Sequence, residues 1–224
     1  RHTRMALRAG KCVVIGLQST GDSAVKESMA RAARADGGGG GSLGMSQLVS
    51  AAREVVEGLL DTLSNSVDKK GSYAQGVLFA SLRHRVKQQL DALNLPAAAL
   101  DELVNYFGPS NVAEMTGRSH RLLKETAANG REQYVLRARA EKGVPHAKMN
   151  VVERQRFQSG EKLIAILSDA GATGFSLHAD KTQPNQRRRL HIVPELGWSA
   201  SKIVQQFGRT HRTNQLMPPE YILL

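Results

Sequence analysis

The chain has 224 residues, of which 41% are hydrophobic, and a formal net charge of +11 at neutral pH. This length allows one domain with extra segments or two small domains, and the charge favours polyanionic partners: nucleic acid, an acidic protein surface or an anionic membrane. No run of roughly 18 apolar residues occurs, so no membrane span is expected. The single cysteine, Cys12, excludes an internal disulfide and a cysteine-based zinc site, and no metal site is predicted.

The first predicted element is a buried strand at residues 11–17, KCVVIGL, which ends in a turn-like QSTG stretch. Residues 1–22 are therefore expected to hold the first strand of the main domain. Residues 23–46 are predicted to be a disordered, flexible linker, because they contain five consecutive glycines and too few apolar groups to offset the entropy of ordering.

A helical insertion is predicted at residues 47–130. Apolar side chains recur there at helical spacing, and the basic side chains on the opposite faces are interpreted as solvated. The predicted helices of this insertion lie at 47–64, 77–93 and 96–107, with a short one near 111–115.

Residues 131–224 are predicted to complete the main domain, because short strands alternate with helices there. Strands are predicted at 133–137, 162–168, 189–196 and 220–224, and helices at 146–158 and 199–209. Such alternation indicates a parallel sheet flanked by helices, with glycine-bearing turns at the ligand edge. Ser199 or Ser201 is expected to cap the last helix.

Two arginines, Arg209 and Arg212, follow that helix in the tract QQFGRTHRTNQ. If the helical turn persists, their spacing puts them on one face, where two guanidinium groups suit the oxygens of a triphosphate. An arginine that acts on a γ-phosphate can come from another module. The alternative is a solvated pair of surface charges. His211, between them, either binds phosphate or packs.

The tract SDAGATGFS, residues 168–176, directly follows a predicted strand. Backbone N–H groups in such a turn can bind an anion, and Gly171 and Gly174 let the backbone come close. Ser168 either binds a nucleic-acid phosphate or caps the turn. Asp169 either accepts from a ribose hydroxyl or holds an arginine, and the alternative for the whole tract is an ordinary loop.

A basic run precedes the strand at 189–196. Together with Lys181, Arg187 and Arg188 are candidates to follow a phosphate backbone. Arg189 either joins them or serves the sheet edge. Trp198, the only tryptophan, either stacks on a base or anchors packing.

The order of these tracts resembles motifs V and VI of superfamily-two helicases. Residues 153–221 are similar over nearly their whole length to the helicase C-terminal domain of the Strawberry notch family, and GKCVVIGLQSTGD (10–22) and LNLPAAALDELVNYFGPSNVAEMTGR (93–118) also resemble it. The resemblance implies an α/β, RecA-like three-layer lobe with a central, mostly parallel sheet. Gly197 departs from the proline usual in the family, which loosens that turn.

The resemblance also implies residue roles. Arg209 and Arg212 would reach the γ-phosphate of ATP, and Glu195 would be the acid that ends the strand before them. The residues implied to bind nucleotide are Asp169, Gly171, Gly174, Gln205 and Gly208. The residues expected to contact nucleic acid are Ser168, Lys181, Arg187 and Arg188.

The sequence contains no G-x-x-x-x-G-K-[ST] P-loop and no D-E-x-H-type acidic tract. Those tracts hold the phosphates and Mg²⁺ in helicase-type ATPases. ATP and Mg²⁺ are therefore expected to be bound mainly by a first RecA-like lobe outside this sequence. The chain is expected to be a fragment that does not hydrolyse ATP alone.

Three functions are compatible with these features. The first is half of an ATP-dependent helicase that regulates transcription at chromatin in the nucleus, with the cytoplasm as the alternative location. The second is a non-catalytic co-regulator that binds nucleic acid or chromatin factors, and the third is a basic RNA- or DNA-binding fragment. The expected partners are the first lobe, nucleic acid and transcription or chromatin proteins, but no membrane. Both arginines and the turn at 168–174 favour the first function.

Overall fold

The computed structural model describes most of the chain. The described residues are 1–18, 56–64, 73–93, 98–126, 130, 132–141, 143–168, 171, 174–195 and 199–224. The linker predicted at 23–46 lies outside them. The chain divides into two compact units, one comprising residues 1–20, 103–123 and 136–224, and the other residues 21–102 and 124–135.

Helices and strands alternate through much of the first unit. The described helices are α1 (His2–Arg8), α2 (Tyr73–Ala92), α3 (Ala99–Phe107), α4 (His146–Ser159) and α5 (Ala200–Phe207), and residues 56–64 are also helical. The described strands are β1 (Cys12–Leu17), β2 (Val112–Met115), β3 (His120–Thr126), β4 (Glu132–Ala138), β5 (Ile164–Ser168), β6 (Arg189–Val193) and β7 (Glu220–Leu223). None of the helices in these ranges has both the length and the apolar character that a membrane crossing requires.

A five-stranded parallel sheet forms the centre of the first unit, in the order β2-β5-β1-β6-β7. Strands of parallel sheets are covered on both faces and are therefore rich in consecutive apolar residues. Every residue of β1 and β5 is buried accordingly. The strands predicted at 11–17, 162–168 and 220–224 are confirmed, and the one predicted at 189–196 is confirmed over 189–193. The α/β fold with a parallel central sheet, expected of a RecA-like lobe, is confirmed as well.

The main core lies between one face of the sheet and α4. Phe157 of α4 is fully buried in a cluster with Val14, Ala165 and Leu167, and Leu177 closes the same cluster from the segment after β5. Helix α1 packs against β1. These contacts fix the segment after β5 against the sheet.

Strand β2 corrects the prediction for residues 111–115, which was a short helix inside a helical insertion. Val112–Met115 is instead a strand of the central sheet, with Val112 opposite Ile164 of β5. The sequence VAEM has weak strand propensity, so tertiary pairing overrides the local preference. The strand predicted at 133–137 is confirmed within β4. Among the strands that the structure describes, β4 pairs with β3 alone, and β3 was not predicted from the sequence.

A buried ion cluster surrounds Glu114 on β2. Its carboxylate accepts hydrogen bonds from Arg118 Nε and Thr116 Oγ1, each at 2.7 Å, and Arg139 Nε lies 3.3 Å away. Arg139 also donates to the carbonyl oxygen of Arg118 at 2.7 Å. Burial alone would raise the pKa of Glu114, but the hydrogen bond and charge of Arg118, with the charge of Arg139, hold it below its usual value. Glu114 is therefore an ionised counter-charge for two buried arginines.

Replacing Glu114 tests this cluster. We expect Glu114→Gln to lower the free energy of unfolding by about 3–5 kcal/mol, because two buried guanidinium groups lose their counter-charge. The matched control is Glu220→Gln, whose partly exposed ion pairs with Lys11 and Arg188 contribute less than about 1 kcal/mol. Urea unfolding of both variants provides the measurement, and equal losses would contradict the assignment.

Candidate functional site

The segment after β5 and the turn after α5 lie side by side. Leu177 N donates to Arg209 O at 2.7 Å, and Lys181 N donates to Asn214 O at 3.2 Å. Backbone pairing thus joins two tracts that are separated by more than 30 residues of sequence. Residues 175–181, at and after the end of the predicted motif V tract, form one surface with the predicted motif VI tract.

The two predicted catalytic arginines project from this surface and do not enter the core. Arg209 is half-buried, and its Nη1 lies 3.5 Å from the carbonyl oxygen of Phe175. Arg212 is exposed, and its Nε donates to Gly208 O at 3.0 Å. A guanidinium group has five N–H donors. The two hydrogen bonds given above use one N–H donor of Arg209 and one of Arg212. Both groups are therefore in a position to bind an anion.

The condition on which a shared helix face depended, a helical turn that persists through both arginines, is not met. Helix α5 ends at Phe207, and the next residues form a turn in which Phe207 O accepts from the N–H groups of Thr210 and His211. Ser199 occupies the N-cap position of α5, but its side chain makes no capping hydrogen bond. The His211 side chain is exposed, which argues against its alternative role in packing.

The turn after β5 is fixed by close packing at Gly171. An added Cβ there would overlap the backbone of Thr116 and lie 2.6 Å from Met115 O, at the carboxyl end of β2. The amide of Gly171 donates to Ser168 Oγ at 3.3 Å, and Asn150 donates to Gly171 O at 3.2 Å. Ser168 is buried and therefore serves as the cap of the turn, the second of its two predicted roles.

The other predicted nucleotide residues differ in their surroundings. Gly174 has a φ of +78°, a left-handed conformation that favours glycine. Gln205 is exposed, whereas its neighbour Gln206, which the sequence analysis overlooked, is buried. Gly208 terminates α5, with a φ of −58°. Asp169 and Trp198 lie outside the described residues.

The predicted nucleic-acid residues do not form one surface. Ser168 ends β5, whereas Arg187 and Arg188 precede β6, and parallel strands place their beginnings and ends at opposite edges of a sheet. Arg188 is bound to Pro218 O at 2.9 Å and to Glu220 at 3.0 Å. Arg187 and Lys181 are exposed.

Arg189 serves the sheet edge, one of its two predicted roles. It is buried, and its guanidinium group donates to Leu177 O at 2.9 Å and to Gln158 Oε1 at 2.8 Å. It also lies over the Phe157 ring, 5.0 Å from the centroid. Burial lowers the pKa of this guanidinium. Arg189 thus supports the segment that pairs with Arg209.

Two further groups beside this surface were missed by the sequence analysis. Arg154 of α4 lies over the Phe175 ring, 5.9 Å from the centroid. His178 Nε2 lies 3.3 Å from Asp180 Oδ2. Burial lowers the pKa of His178, the charge of Asp180 opposes this, and the charge of Arg212 lowers it further. A helical pattern alone could not have shown that Arg154 faces the loop after β5.

The chemistry of the surface is therefore cationic. Arg154 and Arg209 contact Phe175, and the charge of Arg212 lowers the pKa of His178. Guanidinium groups of this kind suit phosphate oxygens. In the parts of the chain that the structure describes, no three His, Cys, Asp or Glu side chains gather as a metal-ligand set. Glu195, two residues after the end of β6, is exposed and accepts a hydrogen bond from Gln18 through its backbone carbonyl at 3.2 Å.

His191 on β6 is a buried titratable group behind this surface. Burial lowers its pKa from 6.5 to about 4. Between pH 4 and pH 6.5, His191 is protonated in the unfolded chain but neutral in the folded chain. The free energy of unfolding therefore falls as the pH is lowered through this window.

The Gly171 packing yields a test by substitution. Gly171→Ala is expected to lower the free energy of unfolding by about 1–3 kcal/mol, because the added methyl group overlaps the backbone at the end of β2. Gly76→Ala is the matched control, since an added Cβ there meets nothing within 4 Å. Denaturant unfolding compares the two. A neutral Gly171→Ala would show that the turn does not pack as described.

The titration of His191 yields a pH prediction. From pH 6.5 down to pH 4, its contribution lowers the free energy of unfolding by up to about 1.4 kcal/mol per pH unit. His191→Asn removes this ring, so the unfolding free energy of that variant should depend less steeply on pH in the same window. His2→Asn, at an exposed histidine, serves as the control. Identical slopes for wild type and His191→Asn would disprove the assignment.

Comparison with known proteins identifies relatives of the C-terminal part of the chain. Residues 98–224 match the family described as the C-terminal domain on Strawberry notch homologues. The Mus musculus protein strawberry notch homolog 2 is 42% identical over 179 residues, which cover 74% of this chain and 13% of that protein. The Drosophila melanogaster protein strawberry notch is 50% identical over 131 residues, covering 58% of this chain and 8% of that protein.

A plant relative shows the same pattern. The Arabidopsis thaliana protein FORGETTER 1 is 46% identical over 143 residues, covering 63% of this chain and 11% of that protein. The chain thus spans a small fraction of the length of these relatives. No solved structure matches. Because the family match covers more than half of the sequence, from residue 98 through the arginine turn to residue 224, the chain belongs to the Strawberry notch helicase family.

Proposed function

We propose that this chain acts as the second RecA-like lobe of a Strawberry notch-like, ATP-dependent helicase that regulates transcription at chromatin. Its role is to supply Arg209 and Arg212 to the γ-phosphate of ATP bound by a first lobe. The observation that carries the proposal is the backbone pairing of Leu177 with Arg209. It joins the two helicase motifs and leaves both guanidinium groups outside the core.

The chemistry of phosphoryl transfer explains why such a surface is useful. Charge spreads over the oxygens of the transferred phosphoryl group, and preorganised arginines stabilise that charge without reorganisation. Arg209 is held through its own backbone by the segment that the buried Arg189 supports. The fixed backbone sets where the side chain starts, and the planar guanidinium fork loses less entropy for each hydrogen bond that it forms to the phosphate.

ATP and Mg²⁺ belong to the proposal as ligands of the completed site. This sequence contains no P-loop tract, so we assign the triphosphate and Mg²⁺ mainly to the first lobe. The exposed Lys181 and Arg187 are proposed as contacts to a nucleic-acid backbone. The nucleus is the proposed location, because chromatin is the proposed place of action.

A second candidate function is a non-catalytic co-regulator that binds chromatin factors. One observation in the second unit favours it. Helix α2 exposes Val77, Leu78 and Leu82, which are 55%, 62% and 45% exposed. Exposed apolar side chains in adjacent turns are typical of protein-interaction surfaces.

ATP turnover distinguishes the two functions. In a full-length protein that joins this sequence to a P-loop lobe, Arg212→Ala is expected to lower the turnover rate by at least two decades, because arginine fingers contribute about 10³–10⁵-fold. The chain of 224 residues alone is expected to show no turnover. Steady-state phosphate release measures both.

The matched control is Arg8→Ala, an exposed arginine in the last turn of α1 that has no proposed role in the site, and it is expected to leave turnover unchanged. Arg212→Lys separates charge from fork geometry, and it should recover little activity. Unchanged turnover in Arg212→Ala, or no turnover in the wild-type protein, would favour the co-regulator instead.

A further inference from the structure

We propose that His191 is a positioning residue for the arginine-bearing turn, because its Nδ1–H bonds to Thr210 Oγ1 and fixes the backbone between Arg209 and Arg212. The catalytic consequence rests on the proposed function. The hydrogen bond itself does not, and it can be tested separately.

His191 lies in the middle of β6 on the face of the sheet that α4 covers. It is paired in register with Val14 of β1, and its side chain is fully buried. Its Nδ1 lies 3.0 Å from Thr210 Oγ1, and Thr210 is 1% exposed. A buried polar pair of this kind links the sheet directly to the turn.

The direction of this hydrogen bond follows from the proton of the threonine hydroxyl. Thr210 Oγ1 donates to Phe207 O at 3.3 Å, which uses its one proton. With the hydroxyl proton placed on Phe207 O, Thr210 Oγ1 accepts from His191, and we infer the tautomer with the proton on Nδ1. The low pKa that burial gives this ring agrees with a neutral imidazole.

Aromatic contacts hold the His191 ring in this orientation. The centroids of Phe207 and Tyr221 lie 6.0 Å and 5.8 Å from it, and those two rings are 4.4 Å apart. The Tyr221 hydroxyl also donates to Phe207 O at 3.4 Å. The ring is therefore oriented by packing as well as by its hydrogen bond.

The opposite side of the ring is accommodated by Gly16 of β1. A Cβ at that position would lie 3.4 Å from His191 Nε2 and 3.2 Å from Gln206 Oε1. No hydrogen bond to Nε2 is found among the described residues. The ring is thus anchored through Nδ1.

Two anchors then hold the turn from opposite sides. Arg209 O accepts from Leu177 N, and the next residue, Thr210, is held by His191. The backbone that carries both arginines is fixed to β6 and to the segment after β5. Since a misplacement of about 1 Å in a catalytic group can reduce a rate about 10²-fold, loss of the His191 anchor should reduce turnover.

A pair of nearly isosteric variants tests this in the full-length protein. Thr210→Val removes the hydroxyl and is expected to lower kcat roughly ten- to a hundred-fold, with little change in KM for ATP. Thr210→Ser keeps the hydroxyl and should retain kcat within about twofold. His191→Leu should match Thr210→Val, and the double variant should be no worse than either, because both remove one interaction.

A second measurement does not depend on ATP. In the chain of 224 residues, the ¹⁵N and ¹H chemical shifts of His191 should report a neutral ring with its proton on Nδ1, and Thr210→Val should change the Nδ1 shift. Far-UV circular dichroism checks that each variant folds. If Thr210→Val does not fold, the tautomer of the wild-type ring still decides the question.

The outcomes separate the two proposals. An Nε2-protonated ring, or a folded Thr210→Val protein with unchanged kcat, would overturn the role of His191. A wild-type protein without ATP turnover would refute the proposed function, while the Nδ1 tautomer would still support the anchoring of the turn.

Discussion

The pairing of Leu177 with Arg209 is the contact on which the candidate site depends, because it brings the loop after β5 against the turn after α5. One segment follows strand β5 and the other follows helix α5, so they are distant in sequence. The buried Arg189 holds Leu177 from the side of the sheet by donating to its carbonyl oxygen. The backbone of the site is thereby built from groups that are themselves fixed in the core.

Buried arginines hold the elements around the candidate site in place. Arg189 satisfies its donors on backbone carbonyls and on Gln158, whereas Arg118 and Arg139 share the carboxylate of Glu114. Removing such groups from water costs free energy that only good geometry offsets, so these clusters specify positions more than they add stability. Each cluster holds an element that borders the loop after β5.

Much of the fold could be predicted from sequence, because the central strands are long apolar runs with glycine-bearing turns between them. Strand β2 could not be predicted in this way. Its four residues include Glu114, which is buried only because Arg118 and Arg139 surround it. A single sequence does not show which distant arginines will meet a carboxylate.

The candidate site was predictable to a similar extent. Spacing and resemblance identified Arg209 and Arg212, but not the end of α5 at Phe207, which sets their orientation. Arg189 looked like its neighbours Arg187 and Arg188 in sequence, yet only Arg189 is buried. Strand register decides which residue of a basic run faces the core. The burial of His191 behind the arginine turn also depends on register, so it could not be predicted from the sequence.

The close approach of Gly171 to the end of β2 has a consequence for protein engineering. The loop after β5 and the edge strand beside it form one steric unit, since the glycine sits against the backbone of Met115 and Thr116. A chimaera that receives this loop from another helicase would have to receive the matching edge strand as well. A graft of the loop alone would lack the backbone of β2 against which Gly171 packs.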